Sequence, residues 1–310
     1  MTQPKSSIPL RQNQEPSLEL LRAMSVAHAR VRRLEGLRLT VSTVIAATGL
    51  VAAFADRVAS VVTALGVLWA LAYTAGLSGW TNTETRRAAA LQEEFDVRLY
   101  GIPWNEALAG DRVNAHDVSR LAKRYRGDEG DLRDYYEIPD LPPPLDVLAC
   151  QMQNLGWGAR VRRRYGQAVI VVLVIWGLAG IGIGVAAELT LSDLLTRWYV
   201  PSLGALLLGI EAFRGQRDVV ARRERALALV KSRVARLRIP SKSVPGTTAT
   251  AADDDLVLLA RQVQDVLLLT RQGAPRVPDW FFSNYRQDDR ADFQATMTEL
   301  VTAVKENRAG

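Results

Sequence analysis

The side chains of this chain that could do covalent or metal chemistry are few and far apart. Two histidines, His28 and His116, and one cysteine, Cys150, stand in separate regions. They cannot complete a four-ligand zinc site without several carboxylates. Glu93, Glu94 and Asp96 form an acidic cluster that could hold a cation, but a solvated helix face is the expectation for such a run. There is no G-x-x-x-x-G-K-[ST], G-x-S-x-G, H-E-x-x-H or C-x-x-C motif. The sequence therefore predicts no catalytic residue, no metal and no cofactor, and a protein that is not an enzyme. The chemistry that remains is recognition. Gln12, Asn13, Trp104, Asn105, Gln151, Asn154, Trp157 and Arg160 offer amides, flat rings and a cation, the groups that bind bases and phosphates. The same eight residues equally suit a polar-aromatic network tying the N-terminal helix, a central domain and a long helix together.

The elements that position them are set by four apolar runs. Leu39 to Ala55 is 17 uncharged residues, about 25 Å as a helix, at the short end for a membrane span. After Asp56-Arg57, a second uncharged run covers 58–79, so the two predict a hairpin over 38–80. A second hairpin is predicted over 166–213, from a run at 167–187 and a less regular one at 194–213 that carries Arg197 and Glu211. Gly177, Gly180 and Gly184 lie along the third run, at spacings that let helices approach closely. The fold class expected is an all-α membrane protein: two transmembrane hairpins with a helical cytosolic domain between them (81–165) and a helical cytosolic C-terminal region. The N-terminal segment (1–37) contains a basic helix with Leu21, Met24, His28 and Val31 on one face. That helix either lies on the inner leaflet or packs on the central domain. Past the fourth run, 214–239 reads as a basic stalk helix with a short heptad seam, suited to self-association or to packing within one chain. Residues 240–252 read as a linker, and 253–310 as further helices. Leu145 to Arg164 is expected to run as helix into the third apolar run.

Charge sets the orientation. The net charge is +6, and Arg30, Arg32, Arg33, Arg38, Arg86, Arg87, Arg160, Arg162, Arg163, Arg164, Arg214 and Arg217 crowd the inner ends of the runs. The two short outer loops hold only Arg57 and Arg197. This bias puts both termini and the central domain in the cytosol, and explains the basic residues without nucleic acid as a partner. One cysteine excludes a disulfide within the chain.

Five separated motifs recur together in one known family. They are Ile8-Pro9-Leu10-Arg11-Gln12-Asn13; Phe95-Asp96 with Pro103-Trp104-Asn105; Cys150-Gln151 with Asn154; Trp157 with the Arg-rich turn after it; and Gln262, Gln264 and Arg271 followed by Pro275 and Pro278. In this order, with four apolar runs, the chain resembles the SMODS-associating four-transmembrane effector family over nearly its whole length. Three positions depart from that family's pattern: Met152 stands for an Arg, Gly158 for an Asp, and Tyr135-Tyr136 for a Trp-Tyr pair. The resemblance implies a membrane effector of bacterial antiphage signalling. Its expected partners are the lipid bilayer, a cyclic oligonucleotide messenger, further copies of itself, and a cognate nucleotidyltransferase as operon neighbour rather than bound subunit. A constitutive transporter or channel subunit, or a scaffold recruiting a cytosolic protein, are the alternatives.

Overall fold

The computed structural model of the chain describes residues 7–52, 56–237, 249–273, 276–278, 280–281, 284–285, 290–291, 293–295, 297–298 and 302. Among these there is helix and no strand. The short α1 (Ile8–Arg11) leads into α2 (Glu15–Ala52), a single helix of 38 residues. The basic N-terminal helix and the first apolar run are therefore one rod. Pro16 sits in its first turn, where a missing N–H costs nothing. Ser17 lies inside it and donates its hydroxyl to the Arg11 carbonyl at 2.9 Å.

The second rod comprises α3 (Asp56–Ala72), a π-turn (Tyr73–Leu77) and α4 (Ser78–Tyr100). It bends by 42° at the π-turn and ends at Gly101, whose φ of 68° few other residues tolerate. Next come α5 (Glu106–Ala109), α6 (Ala115–Ala122) and a 3₁₀ turn (Glu129–Leu132). The Asn114 side chain caps α6 by accepting from the His116 N–H at 2.9 Å. The third rod, α7 (Leu145–Ala186), has 42 residues, about 63 Å of unbroken helix. The fourth comprises α8 (Leu191–Leu194), a π-turn (Leu195–Tyr199) and α9 (Val200–Leu237). Finally α10 (Ala249–Gln272) packs on the bundle. It begins inside the stretch read as a linker, of which 240–248 lies outside the described residues. Most of the last expected helix also lies outside them, although Phe293 and Met297 are buried in the core.

The four rods have two kinds of half. In one, α4, α6, α10 and the polar halves of α2, α7 and α9 enclose an apolar core with Leu21, Leu91, Phe95, Leu148, Leu155 and Leu267 fully buried. Leu21, Met24, His28 and Val31 all face this core, so the N-terminal helix packs on the domain. Val220, Val230 and Val234 of the heptad seam are buried in the same chain.

In the other half the apolar side chains point outward. Val172, Ile175, Leu178 and Val185 on α7, and Val61, Leu65, Leu68 and Leu71 on α3, are more than half exposed. Only 11% of the most apolar window of α7 is buried, which is the reverse of a soluble core helix. Polar groups turn inward instead. Trp69 donates to the Ser42 hydroxyl (2.8 Å), Thr63 to the Thr196 carbonyl (2.7 Å) and Trp176 to the Ser202 hydroxyl (3.1 Å).

By length and apolar content alone, α7 can cross a membrane, and the bent pair Ser60–Gly76 with Ser78–Tyr100 passes when taken together. The other two expected spans do not pass that test. The first runs into residues 53–55, outside the described set, and the fourth carries Arg197 and Glu211.

Candidate functional site

The acidic cluster is not a solvated face. Glu93, Glu94 and Asp96 are fully buried, and α10, packed on α4, brings the counter-charges of Glu93 and Asp96. The apolar face of α10 (Leu256, Val263, Leu267) is interrupted seven residues apart by Gln264 and Arg271, both buried. Arg271 meets Asp96 at 2.7 Å and Arg261 meets Glu93 at 2.8 Å. Gln264 Nε2 donates to Glu93 (2.8 Å) and Asp96 (3.0 Å). Glu94 is held separately by Arg98 and Arg112, at 2.5 and 2.9 Å. Among the described residues, no group of three metal-ligating side chains forms a cation site.

Several of the residues singled out from the sequence meet at this core. Tyr136 OH donates to Asp96 (2.6 Å) and accepts from Asn154 Nδ2 (2.7 Å). Gln12 pairs with the Tyr136 backbone, accepting from its N–H at 2.8 Å and donating to its carbonyl at 3.2 Å. Gln151 donates to the Ala260 carbonyl (2.7 Å) and to Gln264 (3.2 Å). Asn13 clamps the neighbouring Asp134, donating to its carboxylate at 2.7 Å and accepting from its N–H at 3.0 Å.

The others stand apart. Asn105 donates to Asp265 at 3.1 Å, and Trp104 donates to the Gly110 carbonyl at 2.8 Å. Trp157 packs edge-on to Phe293, and Arg160 is half-buried on the same helix. Burial raises Glu93, against the pull of Arg271 and Arg261. Burial alone would depress Arg271, but Asp96 leads the groups that overcome it and hold the guanidinium above its ordinary value. Burial pushes the Tyr135 phenol up to about 12 and the Cys150 thiol well up, so Cys150 is no nucleophile.

A second set of arginines lies between α7 and α9. Arg162 donates to Gln216 at 2.6 Å, and enclosure pushes it down to about 10. Arg223 is buried, donating to Thr270 Oγ1 (3.1 Å) and the Asn154 carbonyl (3.0 Å). Burial, with Arg162 and Arg271 nearby, depresses it strongly. Its guanidinium fills the space that a side chain at Gly158 would need. Gly158 thus has a local reason, and Met152 is buried in the apolar core where an Arg would have to find a partner.

Where the apolar half meets the polar half, buried Arg38 of α2 lies over the Tyr73 ring (4.4 Å) and 3.7 Å from Glu211 of α9. The Tyr73 hydroxyl, from the π-turn, donates to the same carboxylate. Beside it opens a cavity of about 400 Å³ lined by Arg33, Arg38, Glu35, Tyr165, Arg276 and Leu208, among others. The Arg276 N–H donates to Glu35 at 3.3 Å, and its guanidinium donates to His28 Nε2 at 2.9 Å. Burial raises Glu35 and depresses His28 well below its ordinary value, Arg276 adding to the latter.

Sequence reading gave Arg38 and Glu211 only topological roles. Their signal was present: opposite charges at the same end of two neighbouring apolar runs. Of the glycines, Gly180 and Gly184 admit Trp198 and Leu194 of the same chain, while a side chain at Gly177 would meet nothing within 4 Å.

Comparison with known proteins adds the family. Residues 6–300 match the SMODS-associating 4TM effector domain. The chain belongs to that family. It is also 22% identical over 288 residues to a probable CBASS effector molecule of Bacillus cereus (strain VD146), covering 90% of this chain and 93% of the relative. No solved structure matches it. The family's description names a 4TM domain, and α3 and α7 carry the outward apolar surface described above.

Proposed function

We propose that the chain is the membrane effector of a bacterial antiphage system of the kind named for its Bacillus relative. Four helices cross the inner membrane, with both termini and the central domain cytosolic. A cyclic oligonucleotide from the neighbouring nucleotidyltransferase shifts the cytosolic half, and the spans respond by opening a pore or depolarising the membrane, ending in abortive infection. The chain catalyses no reaction, and several copies act together.

The observation that carries this reading is continuity. α7 runs without a break from the buried polar core (Gln151, Asn154) to the lipid-facing half (Ile175, Leu178). A change in packing around Tyr136 is therefore a displacement of a membrane helix, with no hinge to absorb it.

The test is co-expression with the synthase while membrane potential is read by a voltage-sensitive dye. Rapid depolarisation that requires both proteins is expected. An unchanged potential under full messenger synthesis would overturn the proposal, and flux in liposomes without messenger would point to a constitutive channel.

A further inference from the structure

The cavity of about 400 Å³ sits where the polar and apolar halves of the bundle meet, a volume in the range of small-molecule sites. Its wall is cationic, with Arg33 and Arg38 from α2 and Arg276 from the turn after α10. Its floor is apolar, formed by Leu39, Leu208 and Ala212. The one carboxylate on its lining, Glu35, takes the backbone N–H of Arg276. Among the described residues that line it, cations therefore outnumber anions, which suits a negative ligand. Arg38 is the informative member. It is buried, and among the described residues its Nε has no hydrogen-bond partner and its one ion pair, with Glu211, is long at 3.7 Å. Such a guanidinium keeps donors for an acceptor that presents two anionic oxygens.

We propose that this cavity binds a phosphodiester monoanion, and that the bound phosphate draws Arg38 away from Glu211. Arg38, Tyr73 and Glu211 come from α2, the π-turn and α9, so the same movement loosens three rods at once. A π-turn at this point gives the second rod a place to rearrange. Two sources share the chemistry: an anionic phospholipid headgroup at the inner leaflet, and the cyclic oligonucleotide itself. The inference rests on reading these rods as membrane-embedded.

The full chain, in nanodiscs of zwitterionic phosphatidylcholine, is titrated with cyclic di-AMP and cyclic GMP–AMP. In a parallel arm it is moved to nanodiscs containing phosphatidylglycerol and its thermal unfolding followed. Arg33, exposed at the rim, is changed to Glu, with Arg33→Lys as the charge-preserving control. Saturable, salt-sensitive binding in the first arm, weakened at least about tenfold by Arg33→Glu and kept by Arg33→Lys, assigns the site to the nucleotide. Stabilisation by phosphatidylglycerol alone, with the same variant pattern, assigns it to lipid. Responses that are absent, or equal in wild type and Arg33→Glu, in both arms overturn the site. That result leaves the effector reading standing, because depolarisation in cells is scored separately.

Discussion

Asp96 and Glu93 are carboxylates with no exposed surface, and each depends on an arginine of α10. Removing one partner of such a pair leaves an uncompensated buried charge, which costs about 3–5 kcal/mol. Arg271→Ala should therefore lower the unfolding temperature in detergent sharply. Adding Asp96→Asn should recover part of the loss, since the stranded charge is gone; equal losses in the single and double variants would sink this account.

His28 supplies the pH dependence. Its folded pKa is depressed by burial and by Arg276, while its unfolded value is near 6.5. The unfolded state thus binds the proton more readily. Stability is full above about pH 6.5 and declines as pH falls below it. Burial raises Glu35 and Glu93, and their contributions have the opposite sign, growing as pH falls through their folded values. The His28 part is isolated by difference: His28→Gln, which can still accept from Arg276, should flatten the decline between neutral and mildly acid pH in thermal unfolding curves.

Among the elements, α2, the second rod and α9 meet at Arg38, Tyr73 and Glu211, and this contact tests whether the resting bundle is latched. Glu211→Gln removes the ion pair and keeps the shape. In cells lacking the synthase it should raise basal dye-reported depolarisation, and Tyr73→Phe should do so more weakly; cells unaffected by both would remove the latch.

What was legible in the sequence is what is local. The apolar runs, the Asn114 cap, the end of the helix at Gly101 and the passage of Leu145–Arg164 into the third run all follow from neighbours in the chain. Which faces meet was not legible. Gln264 and Arg271 sit in an apolar stripe, which says that they are buried and not that Glu93 and Asp96 await them across more than half the chain. For the same reason an acidic run that looks solvated is the centre of the domain, and Gly180 and Gly184, spaced for assembly, are filled by the chain's own Trp198 and Leu194.

As a whole, the molecule is four rods with a packed polar half and an inverted apolar half, joined without a hinge in α7. Rigid coupling makes a prediction that flexible coupling does not. Two residues inserted after Arg164 would rotate the two parts of α7 by roughly 200° relative to one another, whereas seven would nearly restore their register. The two-residue insertion should abolish signal-dependent depolarisation and the seven-residue insertion should keep much of it, provided both accumulate in the membrane. Equal activity of the two would mean that α7 carries no signal.

The placement of α10 also bears on how the protein is made. The counter-charges of Glu93 and Asp96 are carried by the segment around Arg261 and Arg271, and a ribosome delivers that segment after all four rods. Every rod has by then left the tunnel, so the apolar half can assemble while the polar half still lacks its closing helix. A chain cut short before Ala249 would carry all four rods with two acids, Glu93 and Asp96, lacking their counter-charges. On the function proposed above, the arrival of α10 is the step that sets the safety catch.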